Sequence, residues 1–207
     1  MRNPIFLAVC FIITFLSFYT LSAQGLMEKG IKGGINLAKF VGDDADLGPF
    51  DVEREFTTQF AIGGFLRFGI SKQFSIRPEV FYSIKGCHYK ESKGKDEKIT
   101  VTMNYIDIPV LGIFEVVENF GLFAGPSIGI YLSGESKYEA YGETETEEIK
   151  KEDLKSLDFA LVFGVNYYIS RFHIDARYSF GLTNFLDTAG DPEIKHSVFQ
   201  FMLGFNF

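Results

Sequence analysis

From Gly30 to Phe207 this chain alternates apolar and polar side chains with a period of two, in runs longer than ordinary globular strands. Leu157, Phe159, Leu161, Phe163, Val165, Tyr167 and Ile169 make one apolar register, with Asp158, Ala160, Val162, Gly164, Asn166 and Tyr168 between them. The next run repeats it: Phe172, Ile174, Ala176, Tyr178, Phe180 and Leu182 alternate with His173, Asp175, Arg177, Ser179, Gly181 and Thr183. A helix would scatter these apolar residues around its circumference, whereas a strand sends successive side chains to opposite faces. Long strands with two chemically different faces are the unit of this fold.

Eight such runs are expected, near 30–41, 58–70, 74–86, 99–114, 119–132, 156–169, 171–184 and 196–207. Each exceeds the roughly 9–11 residues that a tilted strand needs to cross a bilayer. Connections after the odd-numbered runs are long and polar: Gly42–Thr57, Cys87–Lys98, Ser133–Lys155 and Phe185–Lys195. Those after the even-numbered runs are tight: Ser71-Lys72-Gln73, Glu115–Glu118 and Ser170-Arg171. Long loops at one end and short turns at the other are the rhythm of an up-and-down barrel in an outer membrane. An even strand count then puts both termini on the turn side, in the periplasm.

Alternation alone also fits a soluble barrel; the chemistry of the second register separates the two. The second register carries Ser75, Arg77, Glu79, Phe81, Ser83 and Lys85 in the third run, Gln59, Gly63 and Arg67 in the second, and Asp175 and Arg177 in the seventh. Mixed acids and bases with Gly and Ser suit an enclosed, charge-compensated lumen. The bulky Phe-rich register would overfill the inside of a small barrel and belongs on its outside. Aromatics near run ends, Phe74, Phe120, Tyr167, Phe172 and Phe207 at the turn side with Phe60 and Tyr82 at the loop side, suit the two membrane interfaces. The expected fold is an all-β, eight-stranded, antiparallel, up-and-down transmembrane barrel.

The N-terminus reads as an export signal: Arg2, an apolar stretch from Ile5 to Leu21, then Ser22-Ala23-Gln24 with cleavage after Ala23. Residues 1–23 are thus the expected signal peptide and 24–207 the barrel domain. Cys10 lies inside the apolar stretch without the small neighbours of a lipoprotein cysteine, and its removal leaves Cys87 alone. A formal charge of −7 with no basic stripe argues against a nucleic-acid partner. At the other end, Phe199, Phe201, Leu203, Phe205 and Phe207 share one face of a strand that ends on Phe. This resembles the C-terminal assembly signal read by the barrel-assembly machinery, an expected partner alongside outer-membrane lipid and lipopolysaccharide.

Several segments resemble one family. Gly30-Ile31-Lys32-Gly33-Gly34-Ile35-Asn36-Leu37 is similar to the opening strand of the porin-like outer-membrane β-barrel family that includes PorT-type, Bacteroidota-like proteins. Arg77–Gly86, Asn104–Leu111, Gly125-Pro126, Arg177-Tyr178 and Gly181–Asn184 follow in the family's order. The resemblance spans Gly30 to Phe207 and implies an eight-stranded barrel, with no assigned activity for most members.

The inward charges Arg67, Arg77, Glu79, Lys85, Asp107, Asp158, Asp175 and Arg177 are expected to pair with one another inside the barrel, since a buried lone charge costs several kcal/mol. Glu79 is expected to pair with Arg77, Arg67 or Arg177. A barrel of eight strands leaves an interior filled by its own side chains, so a general diffusion pore is not expected. His88, His173 and His196 form no metal-site spacing, and no cofactor or metal is expected. Lipid hydrolysis would need a lipid-facing nucleophile with a base in reach, and no such pair stands out, so no enzyme is expected. Asp43–Gly48 lacks full calcium-loop spacing and reads as a solvated loop, as does the acidic segment 142–153. Three functions stay open: a structural or surface-interaction barrel, which is preferred; a narrow channel or secretion component, with envelope or secretion proteins as partners; and a membrane-embedded hydrolase.

Overall fold

The computed structural model describes residues 25–42, 52–91, 98–140, 143–151, 154–185 and 193–207. The expected leader, the Asp43–Gly48 segment, and Gly142, Glu152 and Asp153 of the acidic segment lie outside the described residues. Among the described residues ten strands form: β1 (Leu26–Val41), β2 (Val52–Glu55), β3 (Thr57–Gly69), β4 (Phe74–Glu91), β5 (Lys98–Val117), β6 (Phe120–Ala140), β7 (Glu143–Glu148), β8 (Leu157–Ile169), β9 (Phe172–Gly181) and β10 (Lys195–Asn206). Eight of them, all but β2 and β7, pair antiparallel with their neighbours around a ring. β1 and β10 close it in continuous register from Gly30↔Asn206 to Val41↔Lys195. Closure removes the sheet edges that a bilayer cannot tolerate.

The two registers separate as the chemistry requires. Phe159, Leu161, Phe163, Val165 and Tyr167 of β8, Phe172 and Ile174 of β9, and Phe199, Phe201 and Leu203 of β10 are exposed on the outer wall. Lys32, Asn36, Arg67, Arg77, Glu79, Lys85, Asp158 and Asp175 are buried inside it. A soluble barrel would show the reverse. The aromatic positions at strand ends also face outward: Phe60, Phe74, Tyr82, Tyr167, Phe172 and Phe207 are exposed, with Phe120 half-buried.

Three sequence expectations need correction. The turn expected at Glu115–Glu118 is shorter: β5 runs through Val117, and only Glu118 and Asn119 turn the chain, with Asn119 at φ 67°. Asn enters that left-handed region more readily than most residues, and Ser170 does the same at the β8–β9 turn with φ 56°. The segments Cys87–Lys98 and Ser133–Lys155 are not simply loops, because β4, β5 and β6 continue far past the apolar belt and pair there from Lys85↔Met103 to Lys90↔Lys98 and from Lys98↔Glu139 to Asn104↔Ser133. β7 adds to this ribbon on β6, and β2 adds on β4. A strand exposed on both faces carries no apolar alternation, so Glu143-Thr144-Glu145-Thr146-Glu147-Glu148 reads as loop by pattern and is ordered instead by its β6 template.

The β1–β10 seam depends on a small residue at position 34, where a Cβ would collide with the Phe201 carbonyl oxygen. Gly34→Val is therefore expected to cost about 1–3 kcal/mol or more through overpacking. Gly33→Val, whose Cβ meets nothing closer than 3.6 Å, serves as the neighbouring control. Urea unfolding in detergent micelles reads both; equal midpoints for the two variants would mean the seam is not closed in this register.

Candidate functional site

The interior of the barrel concentrates the chemistry of the chain, and it is layered. Arg77 and Glu79 stand two residues apart on β4 and so point to the same inner face. Lys32 comes from β1 and Asp175 and Arg177 from β9, bringing five charged groups to mid-height. Lys32 Nζ donates to Glu79 Oε1 and to Asp175 Oδ2, both at 2.7 Å. Arg77 Nη2 donates to Asp175 Oδ2 at 2.7 Å, and its Nε lies 2.9 Å from Glu79 Oε1. Arg177 Nη1 donates to Glu79 Oε2 at 2.5 Å, while another of its nitrogens meets the Met202 sulfur. Aromatic faces cover the cations: Phe65 beneath Lys32, Phe123 beneath Arg77 and Phe81 beneath Arg177, with centroids at 4.9–5.0 Å.

Toward the tight turns, Arg67 of β3 donates to Glu28 at 3.1 Å, to Glu115 at 2.5 Å and through Nε to Ser75 Oγ at 2.8 Å. Its guanidinium also lies 5.2 Å from the Tyr168 ring centroid. Toward the loops, Gln200 donates to Asn36 Oδ1 at 2.7 Å, and Asn36 donates to Ser83 Oγ and the Ile84 carbonyl. At the next level Lys85 Nζ reaches Asp107 at 2.8 Å and Asp158 at 3.5 Å, lying over the Tyr105 ring. A cavity of about 10 Å³ lined by Lys85, Asp107, Arg177 and Gln200 separates these levels, room for about one water.

An apolar plug closes the loop-side mouth. Phe40, Cys87, Tyr89, Met103, Tyr105 and Tyr131 from the wall pack with Leu154, Phe185 and Ile194 from the connections. The plug is pinned by Tyr131 Oη donating to the Ile149 carbonyl at 3.1 Å and by backbone bonds Lys155 to Phe185 and Phe185 to Ile194. The isolated apolar residues of the long connections are anchors folded over the lumen, a role that their polar surroundings conceal in the sequence.

Glu79 thus meets Arg77 and Arg177 as two of its three expected partners, while Arg67 sits a layer away with Glu28 and Glu115. Lys32, which bridges both central carboxylates, escaped the sequence reading; its place in the inward register of β1, between Gly30 and Gly34, was the available signal. Glu28 and Glu115 were missed because they lie at the strand ends. His173 is fully buried, its Nδ1 3.1 Å from Asn206 Oδ1, and His196 Nε2 lies 3.2 Å from Tyr105 Oη in the plug. His88 Nδ1 stands 2.8 Å from Thr100 Oγ1, a cross-strand pair on the outer face of the extended ribbon. Among the described residues no hydrogen bond holds His88's other nitrogen. Among the described residues no group of three or more His, Cys, Asp or Glu could hold a metal ion. Of the expected assembly-signal residues, Phe199, Phe201, Leu203 and Phe207 are exposed on the outer wall, and Phe205 is half-buried between the rings of Phe172 and Phe207.

Residues 22–187 match a protein family described as outer membrane protein beta-barrel domain. No curated protein sequence matches the chain. Among solved structures it is similar to Ail, the attachment invasion locus protein of Yersinia pestis, in complex with the heparin analogue sucrose octasulfate. The two share 17% identity and a TM-score of 0.51, over 88% of this chain and 99% of the other. It is likewise similar to Neisserial surface protein A, at 13% identity and a TM-score of 0.50, over 86% of this chain and 97% of the other.

Glu79→Gln leaves Lys32, Arg77 and Arg177 facing a single carboxylate, Asp175. The expected loss is about 3–5 kcal/mol, the cost of breaking a buried pair on one side only. Thermal unfolding in micelles reads it; an unchanged midpoint would show that the cations are compensated by something other than Glu79.

Proposed function

The chain belongs to the outer membrane protein beta-barrel domain family, and from that premise we propose that it is a non-conducting, non-catalytic barrel with a structural or surface-interaction role. The observation that carries this reading is the lumen. Paired charges occupy its turn-side and middle levels, and an apolar plug packs at its loop-side mouth, so among the described residues the interior is filled by its own side chains. The wall strands meanwhile rise past the apolar belt as a ribbon of β2, β4, β5, β6 and β7, which displays Glu143–Glu148. Such a platform presents side chains to partners outside the cell while the barrel anchors it.

In this proposal residues 1–23 are cleaved as a signal peptide, both termini lie in the periplasm, and the ribbon faces the medium. The last strand, with Phe199, Phe201, Leu203, Phe205 and Phe207, addresses the nascent chain to the barrel-assembly machinery. The surrounding partners are outer-membrane lipid and lipopolysaccharide. The finer PorT-type placement rests on the motif similarity of Arg77–Gly86 and Asn104–Leu111. Envelope or secretion proteins are further proposed partners, and the alternative role for the chain is a narrow channel or secretion component.

Single-channel recording in planar bilayers discriminates these readings. The wild-type protein is expected to give no discrete conductance steps. Phe185→Ser should also remain silent, because the Arg77–Glu79–Asp175 level still blocks the path after the plug is loosened. Reproducible steps from the wild-type barrel would overturn the proposal in favour of a channel.

A further inference from the structure

The outer wall is mostly bulky, but along the β1–β10 seam it is dented. Gly33 points outward from β1 and is flanked in register by Ile62 of β3 and Leu203 of β10, so a missing side chain separates two large ones. A groove of about 160 Å³ results, walled by Ile31, Ile62, Phe172, Leu203 and Phe205. It runs down the β1–β10 seam toward the tight turns. Ile31 lies opposite Phe205, and the Phe205 ring is 5.2 Å from that of Phe172.

At the foot of this groove the wall changes character. The Phe207 amide donates to the Lys29 carbonyl at 2.9 Å, and the Asn206 amide donates to the Arg171 carbonyl at 2.8 Å. Lys29 and Arg171 therefore flank the end of β10 on either side, and both are exposed. An apolar trough whose foot lies beside two exposed basic residues, at the level where the aromatic rings of Phe205 and Phe207 mark the margin of the belt, is complementary to an amphiphile with an anionic head.

We propose that this groove binds one phospholipid of the periplasmic leaflet, with an acyl chain lying over Gly33 and the phosphate held by Lys29 and Arg171. The inference rests on the orientation given above, in which the tight turns face the periplasm. A phospholipid fits better than a second copy of the chain, because two copies meeting at this seam would bring like charges together at its foot. Lipopolysaccharide, confined to the opposite leaflet, does not reach these cations.

Native mass spectrometry of the full mature chain, released from its own membranes in a mild detergent, tests the site. The wild type is expected to retain one phospholipid after bulk lipid is stripped. Gly33→Leu fills the trough without a backbone collision, since its Cβ meets only ordinary contacts at 3.6 and 3.8 Å, and should abolish retention with unaltered thermal unfolding. Lys29→Gln and Arg171→Gln should each weaken phospholipid affinity roughly fivefold and so lower the lipid-bound fraction. Undiminished retention in Gly33→Leu, a wild type without bound phospholipid, a bound lipopolysaccharide or a dimer would each overturn the site. Orientation is read separately with Lys72→Cys: labelling by an impermeant maleimide in intact cells would overturn the orientation, whereas protection of that thiol together with absent lipid would overturn the lipid site alone.

Discussion

Everything in this structure follows from the need to bond each backbone amide and carbonyl where no water can do so. A sheet meets that need in hydrocarbon only if it has no edges, and here the twelve register pairs between β1 and β10 supply the closure. Once the ring closes, the period-two chemistry of the strands is no longer free: one register must meet lipid and the other must fill a narrow interior. The tight turns with left-handed Asn119 and Ser170 and the small residue at position 34 serve the same end, letting strands return and meet without leaving a gap.

The enclosed register is the harder half of that bargain, because eight strands leave room for hardly any water to solvate charges. The solution is a stack of mutually paired levels. Arg67 answers Glu28 and Glu115; Lys32, Arg77 and Arg177 share Glu79 and Asp175; Lys85 answers Asp107 and Asp158. The central level carries more cations than carboxylates and the two flanking levels the opposite, so the imbalance is offset along the axis rather than within one layer. Aromatic faces beneath Lys32, Arg77 and Arg177 supply further compensation at the level that is richest in positive charge. Removing one member of such a stack leaves its partner's charge uncompensated in the interior.

Much of this was legible in the sequence, and the reason is geometric. Strict alternation over Leu157–Ile169 or Phe172–Leu182 fixes both strand and face, and long-short connection lengths fix the up-and-down order. Legibility fails where one face no longer differs from the other. β7 is polar on both sides and borrows its order from β6, while β2 has four residues and depends on β4. The plug fails for another reason: Leu154, Phe185 and Ile194 are single apolar residues whose shared destination is set by tertiary folding. Lys32 was hidden among glycines, and the choice of Glu28 and Glu115 over Glu79 for Arg67 depends on height along the barrel, which strand-end fraying blurs in a sequence. The surface pair His88 and Thr100 joins residues twelve positions apart that only the β4–β5 register brings opposite each other.

The account stands on which side of the wall each register faces, and spin-label accessibility measures that directly. Labels placed one at a time along β8, from Leu157 to Ile169 in lipid vesicles, should alternate with period two. Odd-numbered sites are expected to collide with oxygen dissolved in the acyl chains and to be shielded from a water-soluble nickel chelate, with even-numbered sites shielded from both. Odd-numbered sites freely reached by the nickel chelate, with no oxygen enrichment, would place the Phe-rich face in water and contradict the inverted barrel.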